Sequence, residues 1–166
     1  MKTTAIVLCL FMSFYFVNAQ EIKQGEYYPN SENKKFEGSW IYANGSTTFK
    51  VVFESKKMFI EKVGIYTDCL VGKYYFVNNG KEIANYIDSN KTPISFGISS
   101  PNGYTLEANF DDNSKKKLGR LTLELLPNKV QKIKWTLVNI EGVSINGKGK
   151  EKDFSVPTNL ILSKAQ

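Results

Sequence analysis

Apolar and polar side chains alternate with a period of two along most of this chain, and no other feature constrains its fold as strongly. A period of two places side chains on one face of a β-strand. No stretch carries the 3.6-residue apolar stripe of an amphipathic helix. The strand-like runs recur roughly every ten residues, with turn-forming residues between them. The pattern predicts an all-β protein, an antiparallel meander of about 8–10 strands.

Turn residues set the limits of the predicted strands. Asn44-Gly45 and Asn78-Asn79-Gly80 predict tight hairpins, because Asn and Gly tolerate positive φ. Ser55-Lys56-Lys57 is interpreted as a further turn, and residues 142–153 as a lysine-rich loop. A meander of this regularity closes most simply as an up-and-down barrel. The predicted strands are residues 38–43, 47–54, 58–63, 70–77, 82–87, 94–99, 104–111, 118–125, 132–138 and 159–163.

The first residues have the organisation of a signal peptide. Lys2 supplies a positive charge, residues 5–17 are apolar, and Val17-Asn18-Ala19 resembles a cleavage site. The apolar run is shorter than a membrane-spanning helix needs. We predict that residues 1–19 are removed on export to the periplasm or outside the cell, leaving no integral membrane segment. Residues 20–35 are expected to form an extended lead-in, possessing at most one short turn, and residues 36–166 a single β-barrel domain.

Composition excludes several kinds of chemistry. The chain has no histidine, which excludes a Ser-His-Asp or Cys-His catalytic set and any imidazole metal site. Cys9 would leave with the signal peptide, and the one remaining cysteine, Cys69, cannot supply the several thiolate ligands that a metal centre needs. We predict no metal and no cofactor. The net charge of +6 comes from scattered lysines with Arg120 as the single arginine, a pattern that favours solvated strand edges over nucleic-acid binding.

Aromatic side chains on the apolar faces of successive strands form the candidate site. If the barrel is hollow, these side chains line a cavity for one small apolar or amphipathic ligand. The alternative is a filled core in a structural or interaction protein of the cell envelope. The sequence identifies no protein partner. The candidate ligand-binding residues are Tyr42, Phe49, Phe53, Tyr74, Phe76, Phe96, Phe110 and Trp135.

A carboxylate-dependent hydrolase is the third alternative, since glycoside hydrolysis requires only Asp or Glu. It would need two inward carboxylates about 5 to 10 Å apart. Most of the available carboxylates fall on outward strand positions or in turns, so we predict no catalytic residue and a non-catalytic binding module. The pool consists of Asp68, Glu82, Glu107, Asp111, Asp112 and Glu124.

Four short motifs resemble those of a family of small exported proteins of unknown function, widespread in flavobacteria and other Bacteroidota. They are Gly38-Ser39-Trp40, Leu70-Val71-Gly72-Lys73-Tyr74, Asn79-Gly80 and a closing Pro157-x-x-Leu160-Ile161-Leu162-x-Lys164. Gly-x-Trp also resembles the opening of lipocalins, where the tryptophan caps the closed end of the barrel beneath a basic residue. The resemblance implies a lipocalin-like barrel, with structural roles for Gly38, Trp40 and Gly72 and with Lys164 over the tryptophan. It implies no activity.

Overall fold

The chain folds into a closed antiparallel barrel of eight strands with two short additional strands. The computed structural model describes residues 23–127, 131–140 and 154–165. The strands are β1 (Tyr27–Tyr28), β2 (Gly38–Asn44), β3 (Thr47–Ile60), β4 (Ile65–Asn78), β5 (Lys81–Asn85), β6 (Ile94–Ser99), β7 (Thr105–Asp112), β8 (Lys117–Leu125), β9 (Lys132–Asn139) and β10 (Asn159–Lys164). The barrel order is β4-β3-β2-β10-β9-β8-β7-β6, and β6 pairs with β4 to close it. The predicted all-β barrel is therefore confirmed.

The lead-in closes one end of the barrel, which we call the tryptophan end. Its 3-10 helix, Ser31–Lys35, is followed by the fully buried Phe36. The indole Nε1 of Trp40 donates to the Phe36 carbonyl at 2.8 Å, and the Lys164 ammonium lies 5.2 Å from the centre of the Trp40 ring. The arrangement is the one implied by the lipocalin resemblance. A cation over an indole face is favourable because the ring face is electron-rich.

A second segment closes the opposite end, which we call the aspartate end. Phe154 and Val156 are buried there beside the turn between β7 and β8. The Phe110 and Phe154 rings meet edge to face with their centres 5.9 Å apart. Trp135 Nε1 donates to the Pro157 carbonyl at 2.9 Å, which ties the same segment to β9. Both barrel ends are thus covered by non-strand segments.

β3 and β4 are longer than the sequence suggested. Each has 14 residues, and they pair along their whole length. The predicted turn at Ser55-Lys56-Lys57 is wrong, because the chain reverses at residues 61–64, where Gly64 has a φ of +70°. Pairing with β2 ends at Phe53, so the rest of β3 extends beyond the barrel with solvent near both faces. Polar residues are compatible with a strand in that setting.

The remaining differences from the predicted boundaries are small, apart from the lead-in. Tyr27 and Tyr28 form β1, which pairs in parallel with β4 at Tyr66 and Thr67. Asn33 is fully buried and donates from Nδ2 to the Asp68 carbonyl at 2.7 Å, while its Oδ1 accepts from Ser99 N at 3.0 Å. Asn33 therefore links β4 to β6. The predicted signal peptide, residues 1–19, and loop, residues 142–153, lie outside the described residues.

Candidate functional site

Most of the predicted ligand-binding aromatics lie inside the barrel. Their burial follows from strand alternation, which points every second side chain inward. Tyr42 is half-buried against this cluster, and Phe96 is exposed. The six that are buried are Phe49, Phe53, Tyr74, Phe76, Phe110 and Trp135.

The interior rings pack against one another. The ring centres of Phe49 and Trp135 are 5.1 Å apart, those of Tyr74 and Phe110 are 5.6 Å apart, and those of Phe110 and Trp135 are 5.9 Å apart. These separations are typical of aromatic rings in contact. The role of these residues in ligand binding stays a prediction, and their packing is that of a core.

Gly72, predicted to be structural, faces the same interior. A Cβ on Gly72 would lie 2.7 Å from Cδ1 of Phe53 and 3.1 Å from Cδ1 of Ile94. The glycine thus leaves room for the Phe53 ring to cross over β4. The close approach is between the Gly72 backbone and the Phe53 ring.

Phe96 does not share the inward face on which the sequence placed it. Ser95 pairs with Asn109 and Ile98 with Glu107, so Phe96 and Gly97 together oppose the single residue Ala108. This β-bulge inserts one residue and reverses the alternation after it. Phe96 has a φ of +53° and is 42% exposed. The inward position falls to Gly97, where a Cβ would lie 2.8 Å from Cβ of Leu70.

The bulge borders a groove on the outer surface of the barrel. This outer groove crosses β6, β7 and β8 and has a volume of about 450 Å³. The two large apolar side chains of the groove are Phe96 and Ile98, and Ile98 is 43% exposed. Two other concavities have volumes of about 150 and 310 Å³. The outer groove is lined by Phe96, Ile98, Ser99, Ser100, Thr105, Glu107, Ala108, Asn109 and Arg120.

The outer groove carries one positive and one negative side chain. Arg120 on β8 lies opposite Asn109, and Glu107 on β7 lies opposite Thr122, so the two charges occupy diagonal positions. Cβ atoms at such positions are about 7 Å apart. Among the described residues neither charge forms an ion pair within 4.0 Å. Sequence reasoning missed this grouping, although two signals were present, because Arg120 is the single arginine and Gly97 is a glycine inside a predicted strand.

A buried carboxylate lies at the aspartate end. Asp112 accepts from the Ser155 amide at 2.5 Å, the Ser155 hydroxyl at 2.8 Å and the Ser114 hydroxyl at 2.7 Å. The Ser114 and Lys115 amides also donate to it, both at 3.2 Å. Burial alone would raise the pKa of Asp112, but these hydrogen bonds to the ionised form outweigh it and hold the pKa below its ordinary value.

Tyr74 contributes a second buried polar group to the barrel. The Tyr74 hydroxyl is buried and has no hydrogen-bond partner among the described residues, and burial raises its pKa. Of the six carboxylates considered for hydrolysis, Asp112 alone is fully buried. In the part of the chain that the structure describes, no three Asp, Glu or Cys side chains lie together as a metal site would require. No described helix has the length and apolar character to cross a membrane.

The fold and the sites define a closed antiparallel β-barrel with an aromatic core and an amphipathic groove on its outside. The chain belongs to the family of unknown function DUF6705, which matches residues 1–165. No curated protein and no solved structure matches it. The family accounts for the whole barrel and assigns it no activity.

Proposed function

We propose that this protein is an exported, non-catalytic binding module that takes a small apolar or amphipathic ligand in the outer groove. The observation that carries the proposal is the outer groove itself, where the bulge of β6 turns an aromatic ring to solvent in a concavity that Arg120 also lines. The resemblance to exported proteins of Bacteroidota supports removal of residues 1–19 and a periplasmic or extracellular location.

The groove is favoured over the barrel interior because of what already occupies each space. Phe49, Tyr74, Phe110 and Trp135 have no exposed surface, and their rings contact one another. The groove is open, and its volume of about 450 Å³ lies in the range of small-molecule sites. Exposed apolar side chains next to convergent polar groups are the usual composition of such sites.

Backbone strain at Phe96 also supports a binding role. A bulky residue with positive φ is rare, and it costs roughly 1 to 3 kcal/mol. Strained residues cluster at ligand-binding positions, and bulges redirect side chains next to active sites. The strained conformation of Phe96 has the effect of presenting its ring to the groove.

Fluorescence titration with N-phenyl-1-naphthylamine, a neutral apolar probe, tests the proposal. We expect saturable binding that weakens about tenfold or more in Phe96→Ala, because the ring's apolar contact with the probe is lost. Ile161→Ala is the matched control, since Ile161 is an exposed apolar residue on the outer face of β10 and does not line the groove. Phe49→Ala tests the interior. Loss of binding in Phe49→Ala but not in Phe96→Ala would contradict the proposal, as would the absence of saturable binding.

A structural or interaction role for the barrel is the second candidate. The packed aromatic interior favours it, because a filled core needs no ligand for its stability. Absence of probe binding by the folded wild-type protein is the result that would favour this candidate.

Export is tested separately by mass spectrometry. The intact mass of the protein recovered from the periplasm or medium should correspond to a chain that begins at Gln20. A mass that retains residues 1–19 would contradict export with cleavage.

A further inference from the structure

The two charges of the outer groove point to the chemical class of its ligand. Glu107 and Arg120 line the same concavity as Phe96 and Ile98, and all four side chains are exposed. Neither charge has an ion-pair partner among the described residues. Both charged groups therefore keep their capacity for hydrogen bonds within reach of an apolar surface.

Charge balance separates the alternative ligands. A simple anion would be attracted by Arg120 and repelled by Glu107, and a simple cation would meet the reverse. A neutral alcohol would use neither charge fully. A zwitterion can place an acceptor at Arg120 and a donor at Glu107 at the same time, and charge-assisted hydrogen bonds are the stronger kind.

The two charges lie on neighbouring strands, where one compact head group can contact both. Their diagonal placement on β7 and β8 puts their Cβ atoms about 7 Å apart, with Asn109 directly opposite Arg120. Both side chains are long and exposed, so a head group whose carboxylate and ammonium share one carbon can form a charge-assisted hydrogen bond with each of them. The apolar chain of the same molecule would then lie toward Phe96 and Ile98 on β6.

We infer that the outer groove selects a small zwitterionic amphipath, an α-amino-acid head group with an apolar chain, whose carboxylate contacts Arg120 and whose ammonium contacts Glu107. The inference rests on the proposed function, since it specifies the ligand of the same groove. Asn109 supplies an amide that can hydrogen-bond the same head group.

Competition among four molecules with the same eight-carbon chain tests the inference. Octanol, octanoate, octylamine and L-2-aminooctanoic acid each contain eight carbons and carry head groups of different charge, and each is used to displace N-phenyl-1-naphthylamine at neutral pH. We expect L-2-aminooctanoic acid to displace the probe at about a tenfold lower concentration than any of the other three, since one added charge-assisted hydrogen bond corresponds to about that factor.

Two substitutions test which side chain contacts the ammonium of the ligand and which contacts its carboxylate. Glu107→Gln should remove the advantage of L-2-aminooctanoic acid over octanoate, and Arg120→Gln should remove its advantage over octylamine. Glu82→Gln, which changes an exposed carboxylate on β5, should leave the whole ranking unchanged. Unchanged thermal unfolding of the variants shows that the fold is retained, as expected for exposed positions.

The outcomes separate this inference from the proposed function. If octanoate, octylamine or octanol displaces the probe as well as L-2-aminooctanoic acid does, the zwitterion assignment is overturned and the groove remains a binding site. A ranking that is unaltered in both Glu107→Gln and Arg120→Gln also overturns the assignment. If the probe itself fails to bind the wild-type protein, the proposed function fails together with this inference.

Discussion

Asp112 joins two parts of the molecule that are far apart in sequence. It is the last residue of β7, and it accepts hydrogen bonds both from its own turn and from Ser155. The turn and the segment that covers the aspartate end are therefore held by one carboxylate. Lys117 lies opposite Asp112 on β8, with its ammonium 4.6 Å from the centre of the Phe154 ring.

Asp112→Asn should lower the free energy of unfolding at neutral pH by about 2 kcal/mol, because hydrogen bonds to a charged acceptor are lost. The wild-type pKa is lower in the folded than in the unfolded protein. Stability from this group is therefore present above the unfolded value of about 3.9 and is lost as the pH falls through the folded pKa. Urea titrations between pH 7 and pH 2 should show a shallower acid decline for Asp112→Asn. Parallel curves would contradict this account.

Trp40 joins two parts of the chain at the tryptophan end, as Asp112 does at the aspartate end. Only 1% of its surface is exposed, and it contacts both the lead-in and the last strand. Trp40→Ala should reduce the free energy of unfolding by about 3 to 5 kcal/mol, as large truncations in a core do. Chemical denaturation measures the change. An unchanged midpoint and slope would show that Trp40 is not part of the core.

At the scale of elements, the bulge in β6 shows where the sequence stops predicting which side chains face inward. Alternation correctly placed Phe49, Tyr74 and Trp135 on inward faces, because their strands are regular. It failed for Phe96, because one inserted residue reverses the pattern. The glycine at position 97 was the available signal, since glycine inside a strand often marks a bulge or a close approach.

The long β3–β4 hairpin shows a different limit. Its outer half has neighbours on fewer sides than the barrel strands, so polar residues there do not distinguish a strand from a turn. The outer groove could not be predicted at all. It depends on which side chains from three strands meet on one outer face, and that requires the register, which alternation alone does not give.

The strain at the bulge leads to a prediction with a matched pair of variants. Phe96→Gly should be about 1 kcal/mol more stable than Phe96→Ala, because glycine adopts a positive φ without the steric cost that a Cβ carries. Both variants should bind N-phenyl-1-naphthylamine equally weakly, since both lack the ring. Thermal unfolding and the fluorescence titration give the two readouts. Equal or greater stability of the alanine variant would contradict the strained backbone.

At the scale of the whole molecule, the barrel encloses a cluster of core aromatic side chains and carries its amphipathic groove on the outside. Phe36 and Trp40 close one end, and Phe154 and Val156 close the other. The rings between them pack against one another, and the outer groove lies across β6, β7 and β8, of which β6 closes the barrel by pairing with β4. The central claim is therefore that the ligand binds outside the barrel.

Two-dimensional 15N–1H NMR spectra recorded during titration with N-phenyl-1-naphthylamine test this claim most directly. The aromatic rings of the probe shift nearby amide signals, and the indole signals of Trp40 and Trp135 report on the interior. Our account predicts shifts at Phe96, Ile98, Glu107 and Arg120, with both indole signals unchanged. A shifted Trp135 indole signal, with the signals of those four residues unchanged, would place the ligand inside the barrel and contradict the account.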